Sequence, residues 1–158
     1  MAKFLLGFMG AGKSTLARLL DADFVDMDAL LVEKLGMPIT EYFEKYGEAA
    51  FRQEETALLK DLLAEKTWIS TGGGIVMRAE NRELLKQGDA CIYLKADFET
   101  LYERIAKDST NERPLFLKNS KESLRAIYLE RQAWYEEVAT RILEVEGKSP
   151  EELAEVLR

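Results

Sequence analysis

The stretch Gly-Phe-Met-Gly-Ala-Gly-Lys-Ser-Thr at residues 7–15 constrains this chain more than any other, and it directly follows an apolar run at residues 4–6. Its glycines let backbone N–H groups close around an anion. The spacing G-x-x-x-x-G-K-S is that of a loop in which Lys13 reaches the β- and γ-phosphates of a nucleotide and Ser14 offers its hydroxyl to Mg²⁺. A strand before this loop and a helix after it would place the phosphates at a helix N-terminus. The predicted nucleotide contacts are Gly10, Ala11, Gly12, Lys13, Ser14 and Thr15.

Composition narrows the chemistry that is open to this chain. Its 158 residues suit one compact domain. It has no histidine, which excludes imidazole catalysis and His-ligated zinc. The net charge of −7 argues against nucleic-acid and anionic-membrane partners, and no apolar run is long enough to span a bilayer. The single cysteine, Cys91, cannot form an internal disulfide and lies in a predicted buried strand, so we expect a core residue in a cytoplasmic protein.

Short apolar runs alternate with helical patterns along the chain. We predict strands at residues 3–6, 24–26, 67–70, 90–94 and 141–145. We predict helices at residues 13–20, 39–63, 78–86, 98–107, 123–139 and 150–157, the second of them divided near Gly47. This alternation predicts parallel strands with helices on both faces, an α/β sandwich. Ligands of such sheets bind beyond the carboxyl ends of the strands, where the polar motifs of this chain fall.

Two aspartates, Asp26 and Asp28, end the second predicted strand. On an extended chain, side chains two residues apart point to the same side. One carboxylate would then hold a water of Mg²⁺, and the other would accept a hydrogen bond from the hydroxyl that receives the phosphate. The alternative is an acidic turn that caps the next helix. We favour the functional interpretation because the phosphate loop lies at the same edge of the predicted sheet.

A helical segment after Gly47 places Arg52 and Glu55 three residues apart, where their side chains can pair. Arg52 lies beside the apolar stripe of this helix, so Glu55 would hold its guanidinium toward a pocket. An arginine in such a place suits bidentate capture of a carboxylate. A surface ion pair is the alternative, and this segment leaves both interpretations open.

Three consecutive glycines, Gly72, Gly73 and Gly74, follow the third predicted strand. Such a run is entropically unfavourable and makes sense where a ligand must touch the backbone. The alternative is a tight turn before the next helix, which would need one or two glycines.

A polar run at residues 107–110 leads to Arg113 and Pro114. We interpret this segment as a flap whose closure would bring Arg113 onto the transferring phosphoryl group and exclude water. An ordinary exposed loop is the alternative.

The predicted helix at residues 123–139 carries an arginine in the middle of its apolar stripe. Charged residues are rarely buried without a partner, so Arg131 either pairs with an internal acid or faces a ligand cavity. We favour the cavity because the other polar motifs converge on the same edge. The stripe consists of Leu124, Ile127, Tyr128, Tyr135 and Val138.

Together these residues resemble the shikimate kinase family. The matching segments follow one another along nearly the whole chain, at residues 7–14, 26–28, 47–55, 71–74, 113–115 and 131–139. The phosphate loop is generic, whereas the Phe-Arg pair, the triple glycine and the Arg-Pro-Leu sequence are specific to this family. The resemblance implies the nucleoside monophosphate kinase fold, a three-layer α/β/α sandwich whose five-stranded parallel sheet has the order 2-3-1-4-5. It implies one domain over residues 1–158, with substrate-binding helices near residues 28–63 and a lid near residues 107–118.

The resemblance also implies the reaction. The protein would transfer the γ-phosphate of ATP to the 3-hydroxyl of shikimate, with one Mg²⁺ ion, as a monomer that serves chorismate biosynthesis. The implied catalytic residues are Lys13, Asp28 and Arg113. Asp28 would orient the attacking hydroxyl, and Lys13 and Arg113 would stabilise the transferred phosphoryl group.

The remaining roles implied by the resemblance fall into three sets. Ser14 and Asp26 would act on the metal side. Arg104 and Pro150 would contact the adenine of ATP, with Arg113 also on the nucleotide. The shikimate carboxylate and ring would be bound by Asp28, Arg52, Gly72, Gly73, Gly74 and Arg131.

Two alternatives remain. The first is another small-metabolite kinase of the same fold, such as a gluconate or nucleoside monophosphate kinase; a nucleotide acceptor would call for more phosphate-binding arginines. The second is a nucleotide-binding regulatory module without catalysis, which would be expected to have lost Lys13, Asp28 or Arg113.

Overall fold

The computed structural model of the chain describes residues 1–107 and 119–158, and the strands of this part form one parallel sheet. They are β1 (Lys3–Leu6), β2 (Val25–Asp26), β3 (Trp68–Ser70), β4 (Ala90–Lys95) and β5 (Arg141–Glu144). Their order across the sheet is β2-β3-β1-β4-β5. The predicted fold class and strand order are therefore confirmed.

Helices cover both faces of the sheet. They are α1 (Lys13–Leu20), α2 (Met27–Leu35), α3 (Ile39–Tyr46), α4 (Glu48–Leu62), α5 (Ala79–Lys86), α6 (Phe98–Lys107), α7 (Lys121–Val138) and α8 (Pro150–Leu157), with a short 3₁₀ helix at Ile75–Met77. Helix α1 packs against α8, while α5 packs against α4 and α7. The predicted break near Gly47 is confirmed, since this glycine separates α3 from α4 at φ 87°.

The central strand β1 forms the middle of the core. Phe4, Leu5 and Leu6 are completely buried, as expected of a parallel strand covered by helices on both faces. Cys91, on the neighbouring strand β4, is also buried, and burial raises the pKa of its thiol to about 12. The prediction that this cysteine is a core residue is confirmed.

The chain between β2 and α2 differs from the prediction. We predicted an extended chain through Asp28, but α2 begins at Met27 and Asp28 lies in its first turn. The cause is the Asp26 side chain, which accepts a hydrogen bond from the Ala29 N–H at 3.2 Å and so caps the helix. The capping alternative was therefore correct for Asp26, while Asp28 still lines the cleft described below.

Helix α3 contributes no buried residue. It is held to α4 by aromatic contacts, with the ring of Phe51 5.1 Å from that of Phe43 and 6.4 Å from that of Tyr42. The helix forms one wall of the cleft through Ile39, Thr40 and Phe43.

The register of the sheet brings three polar segments to one edge. The loop after β1 starts at Gly7, β2 ends at Asp26, and β3 ends at Ser70. Thr71 joins two of them, because its N–H and hydroxyl both donate to the Leu5 carbonyl, at 3.2 and 2.8 Å. Across residues 1–107 and 119–158, no helix combines the length and apolar character needed to cross a bilayer.

Candidate active site

A cleft of about 1060 Å³ opens at the carboxyl edge of the sheet. Thirteen of the residues predicted from the sequence line it: Gly10, Gly12, Lys13, Ser14, Thr15, Asp26, Asp28, Arg52, Gly72, Gly73, Gly74, Arg104 and Arg131. Ala11 is buried behind the phosphate loop. Pro150 lies apart from the cleft lining, at the exposed first turn of α8. Arg113 lies outside the described residues.

The phosphate loop joins β1 to α1. Gly12 precedes α1 at φ 92°, a left-handed backbone conformation that favours glycine. The Lys13 ammonium folds back over the loop and donates to the carbonyls of Gly7, at 2.7 Å, and Phe8, at 3.1 Å. A cation and the first N–H groups of a helix are thus directed at the same space, which is how proteins bind phosphate groups.

A hydroxyl–carboxylate network lies beside the phosphate loop. The Ser14 hydroxyl donates to Asp26 Oδ2 at 3.0 Å, and its oxygen is 3.0 Å from that of Ser70. These are hard oxygen groups, and Mg²⁺ at nucleotide sites is commonly held by one or two such groups, the phosphates and water. No cluster of three or more Asp, Glu, Cys or His side chains suited to a metal exists in the described part of the chain, so an all-protein metal cage is absent there.

The triple glycine forms the floor of the cleft, and two of its members are fixed by close contacts. A Cβ at Gly72 would lie 2.8 Å from Asp28 Oδ1 and 3.0 Å from Glu55 Oε2. A Cβ at Gly74 would lie 2.5–2.8 Å from the Arg52 guanidinium. Any side chain at these two positions would displace the charged groups, so the glycines let the backbone approach them directly.

The end of the cleft that lies beside α4, away from the phosphate loop, carries a buried ion pair. Arg52 Nη1 donates to Glu55 Oε1 at 2.9 Å, and the same guanidinium reaches Glu48 Oε2 at 3.2 Å. The predicted pairing of Arg52 with Glu55 is confirmed. The Arg52 side chain is 12% exposed and lines the cleft, which excludes the surface-pair alternative.

Glu55 is buried more completely than its partner. Its side chain is 1% exposed, and among the described residues its Oε2 atom has no hydrogen-bond partner. Burial raises the pKa of this carboxyl, an effect that Arg52 opposes and the charge of Asp28 reinforces. The sequence identified Glu55 as a partner of Arg52, but it gave no sign that one oxygen would face the triple glycine.

Arg131 lies on α7 and reaches the same end of the cleft. It is 3% exposed and makes no ion pair with a carboxylate in residues 1–107 and 119–158. Its guanidinium donates to the Met77 sulfur at 3.2 Å and lies 6.0 Å from the centre of the Phe8 ring. Burial lowers the pKa of Arg131, and the charge of Arg52 acts in the same direction.

The electrostatics of this end favour an anion. Arg52 and Arg131 both line this end of the cleft, and Arg131 forms no ion pair with a carboxylate in the described part of the chain, so a guanidinium is available there to an anion. Arginine is suited to bidentate binding of a planar carboxylate. The cleft can therefore hold phosphate groups at one end and a small acidic molecule at the other.

Sequence reasoning missed two groups that the structure brings to the site. Ser70 ends β3 and contacts Ser14, and its position at the carboxyl end of a strand was an available signal. Tyr135 was interpreted as part of an apolar stripe, yet its hydroxyl donates to the Gly73 carbonyl. An aromatic residue in a stripe gives no indication of where its hydroxyl points.

Arg104 contacts the phosphate loop. Its Nη1 donates to the Gly10 carbonyl at 3.2 Å, from the last turn of α6. The guanidinium thus borders the nucleotide end of the cleft, on the side where α6 ends.

A five-stranded parallel sheet with this strand order, a phosphate loop after its central strand, and a second polar pocket beside that loop define a P-loop kinase. Comparison with known proteins narrows this class. The family model for shikimate kinase matches residues 9–158. Shikimate kinases from Streptococcus gordonii and Streptococcus thermophilus are 52% and 48% identical to this chain; each alignment covers 100% of it and 99% of the relative.

Solved structures agree with these sequence relationships. Shikimate kinase from Acinetobacter baumannii, determined in complex with shikimate, superposes with a TM-score of 0.91 at 36% identity and covers 99% of this chain and 89% of that one. This chain belongs to the shikimate kinase family.

Wild-type protein and Glu55→Gln should differ in how their stability depends on pH. A carboxyl whose pKa is raised by folding stabilises the native state below its ordinary pKa and loses that contribution as the pH rises through the folded value. Glutamine does not titrate, so the free energy of unfolding of Glu55→Gln, relative to wild type, should increase as the pH rises above 4.5, the ordinary pKa of the carboxyl.

Urea unfolding at a series of pH values measures this difference. Glu54→Gln, whose side chain is 36% exposed on the same helix, is the matched control for loss of any carboxylate. A relative stability of Glu55→Gln that stays flat or falls as the pH rises would contradict the raised pKa.

Proposed function

We propose that this protein transfers the γ-phosphate of ATP to the 3-hydroxyl of shikimate, giving shikimate 3-phosphate and ADP, in the biosynthesis of chorismate and the aromatic amino acids. The observation that carries the proposal is the division of one cleft into two ends. Lys13 and the start of α1 face one end, and the guanidinium groups of Arg52 and Arg131 face the other. Shikimate is a small hydroxylated carboxylic acid, which this second end would accept.

At the nucleotide end, the loop residues Gly10 to Thr15 would hold the β- and γ-phosphates. Their backbone N–H groups and the ammonium of Lys13 supply the positive charge that stabilises the transferring group. The hydrogen bonds of Lys13 to two loop carbonyls support this role, because they hold the ammonium against the loop. Arg104, which donates to the Gly10 carbonyl, would border the nucleotide, and Pro150 would contact the adenine from the first turn of α8.

At the acceptor end, Arg52 and Arg131 would bind the carboxylate of shikimate. Gly72, Gly73 and Gly74 would let the ring lie against the backbone. Asp28, beside Gly72, would accept a hydrogen bond from the attacking hydroxyl and align its oxygen with the γ-phosphorus. In the transfer itself, a bond would form between that oxygen and the γ-phosphorus, the hydroxyl proton would pass to the Asp28 carboxylate, the bond from the γ-phosphorus to the β-γ bridging oxygen would break, and ADP would leave.

The residues near Ser14 suit one Mg²⁺ ion bound together with ATP. Ser14 and Asp26 supply a hydroxyl and a carboxylate that already contact each other, so an ion would replace the hydrogen bond between them. When bound, the ion neutralises charge on the phosphate oxygens. Arg113, from the lid near residues 107–118, is proposed as a further positive group on the transferring phosphoryl by resemblance to the family.

The charge distribution also bears on the two alternatives. A nucleoside monophosphate acceptor would bring a dianionic phosphate and a base, whereas the acceptor end offers two arginines, one of them paired with two glutamates. A regulatory module would not need Asp28 held against the triple glycine. We further propose, by resemblance to the family, that residues 1–158 act as one kinase domain and as a cytoplasmic monomer; sedimentation velocity would test the monomer.

The acceptor is tested by coupled ADP release from Mg²⁺-ATP. Shikimate should stimulate turnover by at least about 10³-fold over ATP alone, because an aligned hydroxyl replaces water as the nucleophile. Gluconate and AMP, tested in the same way, should give little stimulation. Turnover with either of them and not with shikimate would overturn the proposal, and tight ATP binding without turnover would support the regulatory alternative.

Mg²⁺ dependence is tested with EDTA and with Asp26→Asn. EDTA should abolish shikimate-dependent turnover, and addition of excess Mg²⁺ should restore it. Asparagine keeps the cap of α2 but loses the charge, so this variant should need roughly 10-fold more Mg²⁺ for half-maximal rate. Asp23→Asn, in the exposed loop before β2, is the control. An unchanged Mg²⁺ requirement in Asp26→Asn would remove that residue from the proposed metal site.

Loss of the Arg131 charge should weaken acceptor binding selectively. Arg131→Met keeps much of the buried volume but removes the guanidinium, so KM for shikimate should rise roughly 10- to 100-fold while KM for ATP stays within about twofold. Arg125→Met, on the same helix but 57% exposed, is the matched control and should match wild type. An Arg131→Met enzyme with normal KM for shikimate would show that the carboxylate is bound elsewhere.

A further inference from the structure

The hydroxyl of Tyr135 contacts the part of the cleft floor that lies between the two ends of the cleft. Tyr135 is completely buried on α7, and its hydroxyl donates to the carbonyl of Gly73, the middle residue of the triple glycine. Its ring stacks on Tyr93 of β4, with centroids 5.0 Å apart. The Tyr135 side chain thus packs against the core through its ring and hydrogen-bonds to the floor of the cleft through its hydroxyl.

Gly73 lies between the phosphate loop and Arg131. A Cβ at this position would be 3.4 Å from the Met9 nitrogen, 3.8 Å from the Gly7 oxygen and 3.7 Å from Arg131 Nη1. Movement of Gly73 would therefore change the distance between Arg131, which faces the acceptor, and the phosphate loop, which faces the nucleotide.

The hydrogen bond also fixes the direction of a peptide group. In a planar trans peptide, the carbonyl of one residue and the N–H of the next point in opposite directions. Because Tyr135 binds the Gly73 carbonyl, the N–H of Gly74 points away from α7, and Gly74 lines the cleft. Loss of the hydroxyl would remove one restraint on this peptide group, which would then be held mainly by the turn that the Ile75 N–H closes onto the Gly72 carbonyl, at 3.2 Å.

Arg131 is coupled to the same phenol. It lies one helical turn before Tyr135, and its charge acts directly on the Tyr135 hydroxyl. In residues 1–107 and 119–158 the partners of its guanidinium include a thioether sulfur and an aromatic ring, and none is a carboxylate in an ion pair. Because no carboxylate in the described residues forms an ion pair with Arg131, its charge is available to a ligand.

We propose that Tyr135 is a positioning residue that sets the distance between the acceptor carboxylate and the phosphate loop, through Gly73 and Arg131. It does not touch the reacting atoms. Its hydroxyl holds the cleft floor and the Arg131 side chain in one arrangement, so that the hydroxyl of the acceptor meets the γ-phosphorus at reactive distance. A displacement of the order of 1 Å at such a site lowers the rate by about 10²-fold.

Tyr135→Phe tests the proposal, with Tyr128→Phe as its matched control. Both tyrosines are buried on α7, and both donate to a backbone carbonyl; Tyr128 donates to Ala96, at 2.6 Å, away from the triple glycine. Each variant keeps its aromatic ring and loses one buried hydrogen bond, so both should melt at somewhat lower temperatures than wild type. Tyr135→Phe alone should lower kcat/KM for shikimate, roughly 5- to 50-fold, with KM for ATP within about twofold.

A double-mutant cycle with Arg131→Met supplies a second measurement. If Tyr135 acts through Arg131 and the adjoining backbone, Tyr135→Phe should have a smaller effect in the Arg131→Met background than in the wild type. Full additivity, equal effects on the shikimate and ATP parameters, or a Tyr135→Phe enzyme that behaves like Tyr128→Phe would each overturn the proposal.

The inference rests on the proposed reaction, and the two can fail separately. Failure of the reaction would appear as a wild-type protein without shikimate-dependent turnover. Failure of the inference would appear in a wild-type protein that is active with shikimate, together with a Tyr135→Phe variant whose shikimate parameters are unchanged. Circular dichroism and melting temperatures of both tyrosine variants show whether they are folded under the assay conditions.

Discussion

The Leu5 carbonyl, which accepts hydrogen bonds from both the backbone and the hydroxyl of Thr71, is the interaction on which the site depends. Leu5 lies just before the phosphate loop, and Thr71 lies just before the triple glycine. These two bonds continue the β1–β3 register by one residue beyond the sheet, so two loops of special backbone geometry leave it side by side. Because β1 and β3 are central and buried on both faces, the relative position of the two loops is set by the most rigid part of the molecule.

The acceptor end contains two largely buried arginines, although the protein has a net charge of −7. Most of its ion pairs lie on the surface, where they contribute little to stability. Arg52, Glu55 and Arg131 are different because they are largely withdrawn from water. Burial strengthens their interaction with any ion that enters and makes the empty arrangement unfavourable. An acidic protein can thus present two buried guanidinium groups to one cleft.

Sequence patterns predicted the sheet and most of the site, and the reasons for the failures are physical. The alternation of strands and helices follows from periodicity, and the strand order follows from the family resemblance. The pairing of Arg52 with Glu55 follows from fixed helical spacing. All three predictions are confirmed. The conformation at Asp28 was wrong because a side-chain cap, formed by Asp26, competed with strand propensity. The hydrogen bond of Tyr135 joins residues 62 positions apart, and the unpartnered oxygen of Glu55 among the described residues reflects the direction of one polar atom; no local pattern contains either.

Helix α3 differs from the other walls of the cleft because none of its side chains is fully buried. The other walls consist of groups that the core holds in place, such as Arg131 and the glycines that Arg52 and Asp28 approach closely. A substitution on α3 therefore alters the shape of the acceptor pocket without opening a cavity in the core. This separates the parts of the cleft wall that can vary from those that cannot, and it makes Ile39 and Thr40 the natural positions for changing the shape of the cleft, whereas Phe43 packs against Phe51 and holds α3 in place.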